Sequence, residues 1–156
     1  MITVTEERYD GVDAVALVQE LFVDLGVRYK RDGSPEDADV DPGQVSRPHG
    51  VFLVARLEDR PVGCGALKPL DGSSEVAEVK RMYTVPAARR RGVSRRVLAR
   101  LEGVALELGY GRVQLETGTG QPEALALYEA AGWHRIETYG RYRDDPLSVC
   151  FAKRLA

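Results

Sequence analysis

The chain has 156 residues and a mass of 17.2 kDa, with 44% hydrophobic and 29% charged residues and a net charge of −2. That fits one globular domain over residues 1–156, large enough to bury a core without disulfides or a structural metal. Two cysteines without CxxC spacing, Cys64 and Cys150, and two histidines, His49 and His134, exclude a disulfide framework and argue against a zinc site or a catalytic thiol.

In chain order, Ile2-Thr3-Val4-Thr5 alternates and is β-branched, which predicts a strand; Val12 to Leu25 carries apolar residues near helical spacing, with Gly26 as its stop. No apolar run approaches the ~20 residues of a membrane span, and the first residues show no signal-peptide pattern. A cytoplasmic protein without membrane contact is expected. Residues 31–50 are rich in Pro, Gly and Asp and read as a long acidic loop with at most a helical turn. Val51–Leu57, a turn at Glu58-Asp59-Arg60, and Pro61–Leu67 predict an antiparallel hairpin, and Glu75–Val85 a third strand ended by Pro86. After Gly92, Val93, Val97, Leu98, Leu101, Val104, Ala105 and Leu108 recur at helical spacing up to Gly109. Val113–Glu116 is a short strand, parallel to its predecessor because a helical crossover connects them. Pro122 opens another helix that Gly132 ends. Two strands, Trp133–Thr138 and Leu147–Lys153, complete a mixed sheet in the order β-α-β-β-β-α-β-α-β-β.

The charge is unevenly spread. Residues 1–79 hold 16 acids and 8 bases, whereas Lys80–Arg100 holds eight bases and no acid. Such a run attracts a polyanion, and a solvated helix face, a nucleic acid, a membrane surface or a phosphorylated cofactor each fits the composition. The local sequence favours phosphate. The stretch Val85 to Arg96 lies between a strand and a helix, where unpaired backbone N–H groups and the positive end of the helix dipole bind anions. Neither GxxxxGK[ST] nor GxGxxG is present. Aromatic residues do not interleave Arg89–Arg100, which argues against a nucleic-acid binder.

This stretch reads Arg89-x-x-Gly92-x-Ser94, and farther on the chain has Gln121-x-x-Ala124-x-x-Leu127-Tyr128-x-x-x-Gly132-Trp133. Together they resemble the GNAT superfamily of acyl-CoA-dependent N-acetyltransferases, whose signature is a strand, [RQ]-x-x-G-x-[GA] and a helix, followed by an Asn-x-x-Ala-x-x-Leu-Tyr-x-x-x-Gly-Phe motif. The resemblance covers about Val51 to Leu155. Ser94, Gln121 and Trp133 depart from it. Ser94 adds a hydroxyl that can donate to a phosphate oxygen, and Gln121 stands where Asn contacts the pantetheine.

The resemblance implies the GNAT fold, an α/β structure whose mixed central sheet has antiparallel N-terminal strands, a splayed parallel pair in the middle and flanking helices. It implies acetyl-CoA as cosubstrate, no metal, and direct transfer of acetyl to a primary amine. The acidic N-terminal half, including Asp32, Glu36, Asp37, Asp39 and Asp41, favours a cationic amine of a small molecule. A protein lysine or N-terminus is the alternative acceptor, and an acyl-CoA-binding regulatory module without chemistry the alternative function. Many members dimerise, and a homodimer is compatible with the sequence. Carried over by position, the backbone of Met82, Tyr83, Thr84 and Val85 pairs with pantetheine. The segment Arg89, Arg90, Arg91, Gly92, Val93, Ser94 and Arg95 holds the phosphates, and Gln121 and Tyr128 line the same site. Glu78 is the general base and Tyr128 the proton donor to the thiolate, with Glu116 in reserve. His49, His134, Tyr29, Tyr83, Tyr139 and Tyr142 carry weaker cases for the acceptor side.

Overall fold

The computed structural model describes residues 1–30 and 40–155. Its strands are β1 (Ile2–Glu6), β2 (Val51–Leu57), β3 (Arg60–Pro69), β4 (Val76–Thr84), β5 (Arg112–Gly118), β6 (His134–Ile136) and β7 (Ser148–Arg154). Its α-helices are α1 (Val12–Tyr29), α2 (Val93–Glu107) and α3 (Pro122–Ala130), with 3-10 turns at Pro42–Val45, Pro86–Ala88 and Gly140–Tyr142. The seven strands form one mixed sheet in the order β1-β2-β3-β4-β5-β7-β6, in which β4 and β5 are parallel and the other neighbours antiparallel.

Alternation along the strands gives the sheet two apolar faces. Leu53, Ala55, Leu67, Val79, Val113 and Leu115 point to one side, where they meet Val97, Leu98, Leu101 and Val104 of α2 together with Tyr128 and Trp133. Phe52, Val54, Cys64 and Ala66 point to the other and are covered by Ala14, Leu17, Val18 and Leu21 of α1. The contact with α2 is close: a Cβ at Gly65 would lie 2.7 Å from Val97 and 3.0 Å from Leu101, so glycine there lets the helix approach.

Two irregularities shape the site. The ladder between β4 and β5 ends after Val76–Glu78 against Arg112–Gln114, although both strands continue, so their C-terminal halves splay apart. In β4 itself Ala66 pairs with Lys80 but Cys64 with Tyr83, which leaves Arg81 and Met82 opposite a single residue. This is a β-bulge, and Arg81 takes a φ of 60° to make it. The extra residue reverses the alternation. Lys80 and Arg81 both turn to the α1 face, Arg81 stacking on Phe22 and donating to the Tyr9 hydroxyl, while Met82 turns toward α2.

The chain differs from the sequence expectation in two places. Gly26 does not stop α1, which runs three residues farther and ends where Lys30, at φ 53°, returns its N–H to Gly26 and Val27. The cost of glycine in a helix, about 1 kcal/mol, is outweighed because the next turn brings Arg28 and Tyr29 onto the β5–α3 loop, where Arg28 donates to Gly120 O and Tyr29 accepts from Gly120 N. The strand expected over Trp133–Thr138 is only His134–Ile136, since Trp133 is drawn into the core and donates to Glu102. Of the acidic loop 31–50, residues 31–39, with Asp32, Glu36, Asp37 and Asp39, lie outside the described residues; Asp41 caps the turn at Pro42–Val45, and Val45 is buried under α1.

Ion pairs fasten the sheet edge to α1. Arg56 on β2 donates to Glu7 and Asp13 at once, and this hydrogen bond holds the Glu7 carboxyl below the ordinary glutamate value of 4.5. A depressed folded-state pKa stabilises the fold above the unfolded value and stops doing so as pH falls through the folded one. The melting temperature should therefore fall between about pH 5 and pH 3, and Arg56→Met should remove part of that fall. The same pH dependence in both proteins would contradict the pairing.

Candidate active site

Where β4 and β5 part, a cleft of about 830 Å³ opens between the end of β4, the turn after it, the N-terminus of α2, α3 and the last turns of α1. Met82, Tyr83, Thr84, Arg89, Arg90, Gly92, Val93, Ser94, Arg95, Gln121 and Tyr128, all singled out from sequence, line it. Val85 and Arg91 do not. Val85 is tied to β3 by its N–H on Val62 O at 2.8 Å, and Arg91 points to solvent.

The turn is shaped to receive an anion. Pro86–Ala88 closes a 3-10 turn, Arg90 adopts φ 68°, and Gly92 begins α2 at φ 83° without a capping side chain. The first N–H groups of α2 therefore lack intrahelical acceptors and face the cleft mouth, at the positive end of the helix dipole. A Cβ added to Gly92 meets no protein atom within 4 Å, so the fold leaves room beside it. Thr84 and Ser94 share a hydrogen bond of 2.6 Å, which ties the strand end to the helix start; Ser94 is not left solely for a ligand.

The sequence reading missed one wall. Leu21, Asp24 and Arg28 of α1 and Glu123 of α3 line the cleft. Arg28 pairs with Asp24 at 2.9 Å and Glu123 at 2.5 Å, and Asp24 reaches toward Arg89 at 3.9 Å, so a chain of charges runs from the turn after β4 to α3. Gln121 donates its amide to Tyr29 at 3.2 Å, an α1 contact nothing in its motif announces. The i, i+3, i+7 spacing of Leu21, Asp24 and Arg28 puts them on one side of α1. Which way that side faces is decided only by tertiary packing.

Tyr128 is 4% exposed and wedged between Trp133 and Phe151, with ring centroids 5.8 and 5.7 Å away. Burial, and after it the charge of Glu116, raises its hydroxyl pKa, so the group stays protonated and can donate. Glu78 does not line the cleft. It lies on the α1 face at 6% exposure, accepts from the Tyr139 hydroxyl at 2.6 Å and pairs with Lys68 at 3.5 Å. Glu116 shares that face, since Gln114 is the register partner of Glu78, and accepts from Ser148 at 2.7 Å. Tyr142, stacked edge-on against Tyr139, accepts from Lys80. Of the two histidines, His49 gives its carbonyl to Tyr110 and His134 is exposed on the edge strand. Burial pushes the Cys64 thiol up to about 12, which leaves it no role as a nucleophile. No helix of the described residues is long and apolar enough to cross a membrane.

Residues 15–133 match the acetyltransferase (GNAT) family. The chain belongs to that family. An IAA acetyltransferase of Azospirillum brasilense is 35% identical over 154 residues, 99% of this chain and 98% of the relative. A Klebsiella pneumoniae structure assigned as an acyl-CoA N-acyltransferase superposes with a TM-score of 0.81 at 27% identity, covering 100% and 99% of the two chains. A GNAT acetyltransferase from Elizabethkingia anophelis, solved with acetyl-CoA bound, shares the fold at a TM-score of 0.71 and 17% identity, covering 99% and 98%. This GNAT chain is thus a transferase of acetyl groups, and acetyl-CoA is its cosubstrate.

Proposed function

We propose that the chain, acting as one catalytic domain over residues 1–156, acetylates a primary amine of a small molecule by direct transfer, with Glu78 as base and Tyr128 as acid. The observation that carries the reading is the splayed end of β4 running into the uncapped start of α2 along one cleft. The cleft fits the cosubstrate: its mouth offers backbone N–H groups, three arginines and free space beside Gly92, and its inner end is the unpaired edge of a strand.

Acetyl-CoA supplies the activated acetyl group as a thioester. The residues do the rest. The N–H groups of Val93, Ser94 and Arg95, with Arg89 and Arg90, hold phosphate, and the main chain of Met82–Thr84 aligns the pantetheine arm as an added strand would. A backbone N–H near Met82, past the end of the β4–β5 ladder, stabilises the oxyanion, worth about 3 kcal/mol per donor. An alkyl ammonium with a pKa near 10 must lose its proton before it attacks, and Glu78 accepts it directly or through water. Tyr128, whose pKa is raised, gives a proton or hydrogen bond to the departing thiolate. A buried Glu78 behind Tyr139 and Tyr142 favours an amine slender enough to reach it; a lysine peptide in the same assay tests the other acceptor.

Binding is tested first by stability. Acetyl-CoA at a hundred times its dissociation constant should add ~2.7 kcal/mol, and dephospho-CoA less, because the arginines at 89–96 lose a phosphate to neutralise. Equal melting temperatures with and without millimolar acetyl-CoA would overturn the site assignment.

A further inference from the structure

The β6–β7 connection returns to the sheet across the residues of β4 that precede the bulge. Tyr139, at the start of the 3-10 turn Gly140–Tyr142, donates to Oε2 of Glu78 at 2.6 Å, and Tyr142 accepts from Lys80, the next residue of β4 on that face. From the other side Lys68, the register partner of Glu78 on β3 and 2% exposed, sets its ammonium 3.5 Å from Oε1. Lys68 is itself anchored on Pro69 O at 3.0 Å and Asp71 at 3.3 Å. Glu78 thus accepts the Tyr139 hydroxyl on one carboxylate oxygen and faces the Lys68 ammonium with the other.

We propose that Tyr139 and Lys68 are positioning residues that clamp the two oxygens of Glu78 and aim its remaining lone pairs at the amine proton. The proposal rests on the reading of Glu78 as base. A carboxylate offers about four acceptor sites, so the Tyr139 hydrogen bond and the Lys68 ion pair leave room for the incoming proton or a bridging water. A free glutamate on a strand would sample several rotamers, and misplacing a catalytic group by about 1 Å can cost about a hundredfold in rate. Burial, and after it the charge of Glu78 and the hydrogen bond to it, raises the pKa of Tyr139, so this hydroxyl stays protonated and remains a donor. The charged and titratable groups facing Glu78 are Lys68 from β3, Lys80 and Arg81 from β4, Glu116 from β5, Cys150 from β7, and Tyr139 and Tyr142 from the β6–β7 connection.

The test compares kcat and the KM for acetyl-CoA of Tyr139→Phe and Lys68→Met with those of the wild-type chain. Lys68→Met should lower kcat with the KM for acetyl-CoA unchanged, and Lys68→Arg, which keeps a charge beside Glu78, should recover part of the loss. With the fastest amine of an acceptor panel, Tyr139→Phe should lower kcat about tenfold to a hundredfold and leave the KM for acetyl-CoA unchanged. Tyr139→Phe loses one oxygen and keeps the ring stacked on Tyr142, so its fold is expected to survive. Wild-type kcat in both Tyr139→Phe and Lys68→Met, or a fall in kcat matched by a rise in the KM for acetyl-CoA, overturns the clamp. Wild-type kcat and pH profile in Glu78→Gln would instead overturn the base assignment, and the clamp's catalytic role with it, whatever the other variants show.

Discussion

Gly92→Val is expected to abolish the stabilisation by acetyl-CoA that the wild-type chain shows. Two effects of the substitution point the same way. At φ 83° a β-branched residue is strained, by about 1–2 kcal/mol, so the turn that presents the N–H groups of α2 would shift. The new side chain would also fill the space beside Gly92, which no protein atom occupies within 4 Å. Gly92→Ala separates the two, because it carries the strain with the smallest bulk. Thermal melts of each variant alone measure the strain, and melts with acetyl-CoA measure binding. A Val variant that gained the full wild-type shift would make the glycine a requirement of the turn alone.

The second large effect concerns chemistry rather than binding. Tyr128→Phe should lower kcat about 10- to 1000-fold while acetyl-CoA affinity survives, since the ring stays between Trp133 and Phe151 and only the proton donor is lost. Glu78→Gln should likewise lower kcat with affinity nearly intact, and should erase the acidic limb of the pH–rate profile, because an amide accepts no proton from the amine. The two signatures differ, which keeps the roles apart. A tyrosine of purely structural value would tolerate Phe with unchanged kcat. A purely structural Glu78 would show its loss as a lower melting temperature with normal turnover per folded molecule, as expected when one partner of a buried ion pair is removed.

How much of this was legible in the sequence depended on distance along the chain. The helix α2 and its turn were readable because six buried apolar residues recur at helical spacing directly after a glycine, a purely local pattern. The splay of β4 from β5 came with the family resemblance and not from periodicity, which says nothing about where a ladder ends. The bulge at Arg81 was invisible, because an arginine at φ 60° carries none of the glycine signal that marks such positions. Gly26 misled for the converse reason: a local stop signal was overridden by contacts of Arg28 and Tyr29 with a loop about 90 residues away. The partners of Glu78 were hidden in the same way. Lys68 and Tyr139, which hold it from two sides, stand 10 and 61 residues away in sequence.

The most direct test of the account is amine-dependent release of the CoA thiol from acetyl-CoA, measured over a panel of small primary amines and lysine peptides with the wild-type chain and Gly92→Val side by side. Release is expected to depend on at least one small amine, to yield the N-acetylated amine in equal amount, and to be lost in Gly92→Val. Failure of every amine to raise thiol release above the acceptor-free rate, or equal release by Gly92→Val, would contradict it.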